Sequence, residues 1–136
     1  MLRRTVDGYL EIVEIKTAFT HVLFQRDDSH GSYYPSAKLS QVLGQVFRYI
    51  EEVERSRDAI LAKDREDTLK IRARVIVGRD GDGEQVAALR SINSHLHGIE
   101  VITYDQLLRI AARVLDVFGV ASPAVQAEVP EMETPF

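Results

Sequence analysis

The sequence predicts one α/β domain with a mixed sheet flanked by helices, in the element order ββαβαβα. Three observations predict it. Two apolar runs near the N-terminus flank Asp7-Gly8, a strong signal for a tight hairpin turn. Further on, short apolar runs around Val75-Ile76-Val77 and Ile99–Ile102 alternate with segments of helical period. That alternation implies some parallel pairing, closed on one side by the hairpin. Finally, 136 residues with 45% apolar and 28% charged side chains suit a single core.

The first strand is expected over residues 2–6 and the second over 9–19. A two-residue turn at Asp7-Gly8 puts Val6 opposite Tyr9, Thr5 opposite Leu10 and Arg4 opposite Glu11, a favourable cross-strand charge pair. In that register Met1 faces Glu14, and nothing in the chain faces Ile15, Lys16 or Thr17. The chain is therefore expected to be the C-terminal part of a longer protein, cut inside a strand and lacking a preceding helix and strand. Residues 20–35 show no period and are expected to form a loop.

A long helix is expected from Ser36 to about Lys63. Leu39, Val42, Leu43, Val46, Phe47, Ile50 and Val53 form its apolar stripe, and Gln41, Gln45, Tyr49 and Glu52 run down its flank. A strand follows over residues 70–78. Asp82 with Gln85 resembles a capping box and opens a helix that runs to His97, with Val86, Leu89, Ile92 and Leu96 inward. A short strand over 98–103 leads through Thr103 and Gln106, a second capping pattern, into a last helix ending near Phe118. Leu107, Leu108, Ala111, Val114, Leu115 and Phe118 are expected on its inward face. The domain is thus expected over residues 1–118, with a flexible, proline-containing tail over 119–136.

Composition narrows the function classes. The net charge of -4 provides no global basic field, so binding to nucleic acid would need a local concentration of Lys and Arg. The absence of Cys excludes disulfides and thiolate zinc sites and fits a cytoplasmic location. No apolar run approaches the ~18 residues of a membrane span, so no membrane partner is expected.

Glu14-Ile15-Lys16 is the chemically informative segment. A carboxylate and an ammonium two residues apart on a strand share a face, and here the surrounding run is mostly apolar. Such a pair is costly unless it is partnered or used. Metal-assisted phosphodiester hydrolysis uses carboxylates to hold Mg²⁺ and a cation beside the phosphate or attacking water. Glu14 can supply the carboxylate, the Ile15 carbonyl a neutral oxygen, Lys16 the cation, and Gln45 a hydrogen bond. Taken alone, Glu-x-Lys also reads as a same-face ion pair at a sheet edge. Gln41 is an alternative to Gln45 one turn earlier. His21, His30, His95 and His97 show no zinc-ligand spacing. Asp80, Asp82 and Glu84 read as a turn with a helix cap rather than a calcium loop. Arg72, Arg74 and Arg79 fit either a phosphate path or solvated strand flanks.

The wider context resembles the PD-(D/E)xK nuclease superfamily, with Glu14-x-Lys16 ending a strand after a hairpin and Gln45-x-x-x-Tyr49 on the next helix. Val13–Lys16, Leu39–Tyr49, Val75–Arg79 and Ile102–Leu108 together look like the Shedu anti-phage nuclease domain, over roughly residues 2 to 115. The resemblance implies a restriction-endonuclease-like fold and a Mg²⁺-dependent DNA endonuclease of a bacterial defence system, with Mn²⁺ as a possible substitute metal. It implies Glu14, Lys16 and Gln45 as catalytic residues, Glu14 as metal ligand, DNA as substrate and a homo-oligomer. The superfamily's first acid belongs on the strand paired with Glu-x-Lys, at Met1 or just before it in the expected register. Asp7, the only earlier acid, lies in the turn, about 20 Å along the strand from Glu14. That acid is therefore expected to lie upstream. The alternative is an inactive module of the same fold that binds DNA or self-associates.

Overall fold

The computed structural model describes residues 1–17, 22–65 and 71–119. Among these residues ten elements follow one another: β1 (Leu2–Arg4), β2 (Leu10–Lys16), β3 (Phe24–Asp27), β4 (Ser32–Pro35), α1 (Ala37–Arg55), α2 (Arg57–Asp64), β5 (Ile71–Val77), α3 (Gly83–His95), β6 (Ile99–Ile102) and α4 (Tyr104–Val117). The main sheet has the order β1-β2-β5-β6. The β1–β2 pair is antiparallel, whereas β2–β5 and β5–β6 are parallel, so this is the mixed sheet expected.

Strand period two divides the core. Ile12, Ala73, Val75, Val77, Ile99 and Val101 face the layer that contains α1 and α3, with Leu39, Val42, Leu43, Val46 and Leu89 buried against them. Val13, Ile76 and Ile102 form a smaller cluster on the other face, covered by Tyr104 and Leu107 at the start of α4. The starts of α1, α3 and α4 each have a side-chain cap. Ser36 accepts from Leu39, Asp82 from Gln85 and Thr103 from Gln106. The Gln85 side chain does not complete a capping box. It pairs instead with the backbone N–H and C=O of Phe24, fastening β3 to α3.

The first hairpin differs from the expected register by one residue. Leu2 lies opposite Ile12, Arg3 opposite Glu11 and Arg4 opposite Leu10. Thr5 and Tyr9 close a three-residue loop, Val6-Asp7-Gly8, with Gly8 at φ 83° and its N–H bonded to the Thr5 carbonyl. Asp-Gly suits this turn-plus-bulge loop as well as the two-residue one. The Thr5 hydroxyl, bonded to Asp7 and Tyr9, favours the longer form. Met1 accordingly lies opposite Val13, exchanging both backbone hydrogen bonds with it, and not opposite Glu14.

Three further expectations are corrected. The expected loop over 20–35 contains the β3–β4 hairpin, whose mostly exposed four-residue strands bury only Phe24 and so leave no readable alternation. The long helix breaks at Ser56 into α1 and α2, and Phe47 is exposed rather than part of the core stripe. Of the apolar face of α4, only Leu107 reaches the small cluster, while Leu108, Val114 and Phe118 are exposed. That sheet face buries only three apolar side chains, Val13, Ile76 and Ile102, too few to cover a fourteen-residue helix. The expected end of the second strand at residues 18–19 and the expected tail after Gly119 lie outside the described residues.

Candidate functional site

Glu14 and Lys16 occupy the last turn of the pleat in β2, on the same face as Ile12. That face is the one covered by α1. Because Leu39, Val42, Leu43 and Val46 hold α1 against the sheet, its flank carrying Gln41, Gln45, Tyr49 and Glu52 runs past the end of β2. Lys16 Nζ lies 2.8 Å from Glu14 Oε1 and 2.9 Å from Gln45 Oε1. One ammonium therefore joins all three residues singled out from the sequence. The side chains of Glu14 and Lys16 are 19% and 31% exposed, which leaves them screened but reachable.

A Glu–Lys pair at a sheet edge with Gln45 well away would have marked an incidental ion pair. The observed Lys16–Gln45 bond spans strand and helix. An ammonium has three donors, and two of the Lys16 donors are engaged here, which leaves one for a phosphate oxygen or a water.

Two cavities open at this cluster. One, of about 340 Å³, is lined by Lys16, Gln45, Gln41, Lys38, Ile15 and Thr17. The other, of about 480 Å³, is lined by Glu14, Tyr49, Glu52, Ile12 and Val53 among others. Lys38 and Glu52 had no assigned role in the sequence reading. Glu52 was legible as the continuation of the Gln45–Tyr49 flank, whereas Lys38 carries no sequence signal beyond its place one turn before Gln41. Tyr49 packs partly against the core. Tyr104 also belongs to the site, since its hydroxyl lies 3.4 Å from the Lys16 carbonyl and steadies the end of β2 from the α4 side.

The donor set is compatible with a hard divalent cation. Glu14 offers a carboxylate, Ile15 a carbonyl at the same strand end, and Mg²⁺ ordinarily completes its shell with water and substrate phosphate. Among the described residues no three His, Asp or Glu side chains converge as a ready-made metal site.

Arg79 and Asp80, beyond the end of β5, are tied into the start of α4. Arg79 clamps Asp105 at 2.7–2.9 Å, and Asp105 also accepts from the Asp80 N–H. The Arg79 bonds, reinforced by that backbone N–H, hold the Asp105 carboxyl down at about 2. Asp80 is likewise held below the ordinary carboxylate range, by the Thr103 hydroxyl first and then by Arg109. Arg79 thus braces the loop rather than lining a phosphate path.

Residues 1–108 match the family defined by the C-terminal part of the Shedu protein SduA. The chain belongs to that family. The match runs from β1 into the first turns of α4, so the whole Glu14–Lys16–Gln45 cluster lies within the Shedu domain. Membership associates the domain with anti-phage defence. No protein of curated function matches the chain. Among the described residues of the Shedu domain, no helix is long and apolar enough to cross a membrane.

Proposed function

We propose that this Shedu domain is the catalytic part of a Mg²⁺-dependent DNA endonuclease of the PD-(D/E)xK type. The observation that carries the proposal is the placement of Lys16 Nζ between Glu14 and Gln45, beside two open cavities. In the hydrolysis, a water oxygen bonds to phosphorus, one P–O ester bond breaks, and the leaving oxygen gains a proton. Lys16 donates to a non-bridging phosphate oxygen or to the attacking water, where charge develops. Gln45 holds the Lys16 side chain in that position, and Tyr104 steadies its backbone. Glu14 is the protein's carboxylate ligand, with the Ile15 carbonyl beside it. When bound, Mg²⁺ supplies charge neutralisation on the phosphate and a more acidic water. Cutting both strands of a duplex is consistent with a homo-oligomer carrying two such sites.

The test is nicking of supercoiled plasmid by the protein carrying this domain, with Mg²⁺ or with chelator. Cleavage should need Mg²⁺ and disappear in Glu14→Ala and Lys16→Ala variants that remain folded. Undiminished cleavage by both variants would refute the assignment. A second reading, a non-cleaving module for DNA binding or self-association, is favoured by the lack of a converged acidic trio among the described residues. DNA binding without cleavage in the same assay would select it.

A further inference from the structure

A second cleft lies at the opposite edge of the main sheet, away from the Glu14 cluster. It measures about 480 Å³ and is lined by Arg90 and Asn93 of α3, Gln106, Arg109 and Arg113 of α4, and Asp80 and Glu100, above Val86 and Leu89. The two helices flank opposite faces of the sheet, so Arg90 and Arg113 line one cleft along the outer edge of β6. That edge is closed to another strand at Val101, whose N–H and C=O both pair with the Asn93 side chain.

The charge balance in this cleft is local and one-sided. Asp80 is taken up by Arg109 at 2.7 Å and by the Thr103 hydroxyl, and Glu100 by Arg74 at 3.2 Å. Arg90 and Arg113 have no ion-pair or hydrogen-bond partner among the described residues. Most other arginines of this acidic chain are engaged, including Arg3, Arg26, Arg48, Arg72, Arg74, Arg79 and Arg109. Two free guanidinium groups, with the Gln106 amide and no aromatic ring in the lining, suit phosphate oxygens and offer nothing for a base to stack on.

We propose that this cleft binds phosphate groups of a nucleic-acid backbone, with Arg90 and Arg113 as the donors and Arg109, fixed by Asp80, shaping the floor. The choice of DNA as the source of those phosphates rests on the proposed nuclease reading. Position supports it, because Glu14 and Val101 lie in one row across the sheet through Val75. The two strand spacings between them amount to about 10 Å, or about three 3.4 Å steps along one DNA strand. The cleft adjoins the β6 end of that row through Asn93, within the ~34 Å of one duplex turn from Glu14.

The test is fluorescence anisotropy of the full chain with a labelled 30-base-pair duplex in chelator, from 50 to 200 mM salt. Each phosphate contact contributes about 0.9 to the slope of log affinity against log salt. Arg90→Ala with Arg113→Ala should therefore reduce that slope by about 2 and weaken binding at 50 mM salt at least about tenfold. The double Lys variant should retain the slope, and Lys63→Ala, on α2, should match the unaltered chain. An unchanged slope in a double Ala variant with native circular dichroism, or no DNA binding by the unaltered chain, would overturn the proposal. So would a thermal shift that depends on both arginines with a mononucleotide, alongside an unchanged DNA slope. Lys16→Ala should lose cleavage while lowering the slope by no more than about 1, so failure of the catalytic reading and failure of this one are distinguishable.

Discussion

Lys16 Nζ donates to Gln45 Oε1 at 2.9 Å, joining the end of β2 to the middle of α1 across 29 residues of chain. The bond sets where the ammonium sits, because Glu14 on the same strand restrains it from one side and Gln45 from the other. Replacing Gln45 by Ala should leave the fold within about 0.5 kcal/mol, since the pair is exposed. The same variant should slow plasmid cleavage by about 10²-fold, the scale for loss of one preorganised contact. Parallel melting and cleavage measurements would show whether the two effects separate.

Glu11 tests a different part of the sheet. Its side chain is only 3% exposed, and it pairs with Arg3 across the hairpin and with Arg74 at 3.6 Å on β5. Glu11→Ala leaves both guanidinium groups without it, but each is more than a third exposed and water can reach them. The expected loss is about 1–3 kcal/mol, below the value for fully buried pairs, and urea unfolding would measure it.

The Arg79–Asp105 clamp makes a prediction about acid. Asp105 titrates at about 2 in the folded chain, against 3.8 for a free aspartate. A depressed carboxylate contributes stability above its unfolded value and loses it as pH falls through its folded value. The clamp should therefore be intact at neutral pH and fail between about 4 and 2. Unfolding monitored against pH should be less steep across that window in Asp105→Asn than in the unaltered chain.

The two kinds of helix packing predict opposite outcomes for apolar substitutions. Leu39 of α1 is fully buried, so Leu39→Ala should cost about 2–5 kcal/mol. Leu108 of α4 is 67% exposed despite its place in an apolar stripe. Leu108→Asp should change stability by no more than about 0.5 kcal/mol. Chemical denaturation of the two variants would check the boundary of the core.

Much of the domain was legible because its signals are local. Short continuous apolar runs placed β2, β5 and β6, and period 3.6 with Ser36, Asp82 and Thr103 as caps placed α1, α3 and α4. Of the candidate site, strand geometry put Glu14 and Lys16 on one face, whereas Gln45 was singled out over Gln41 only by the Gln45-x-x-x-Tyr49 resemblance, because both glutamines share the helix flank. The β3–β4 hairpin was not, because a strand pair that buries one residue leaves no period in its sequence. Nor was the hairpin register, since Asp7-Gly8 serves two loop lengths and the choice rests on Thr5 bonding to both Asp7 and Tyr9.

By itself the sequence determined the α/β class, the order of the main-sheet strands and their helices along the chain, and the face on which Glu14 and Lys16 stand. These follow from backbone period and capping, which act over a few residues. Only the tertiary structure decided that Lys16 touches Gln45, that α4 leaves most of its apolar face in solvent, and that Arg90 and Arg113 line one cleft at the edge of β6. Those outcomes depend on how far each helix extends over a sheet of fixed width, a property of packed layers that local patterns do not contain.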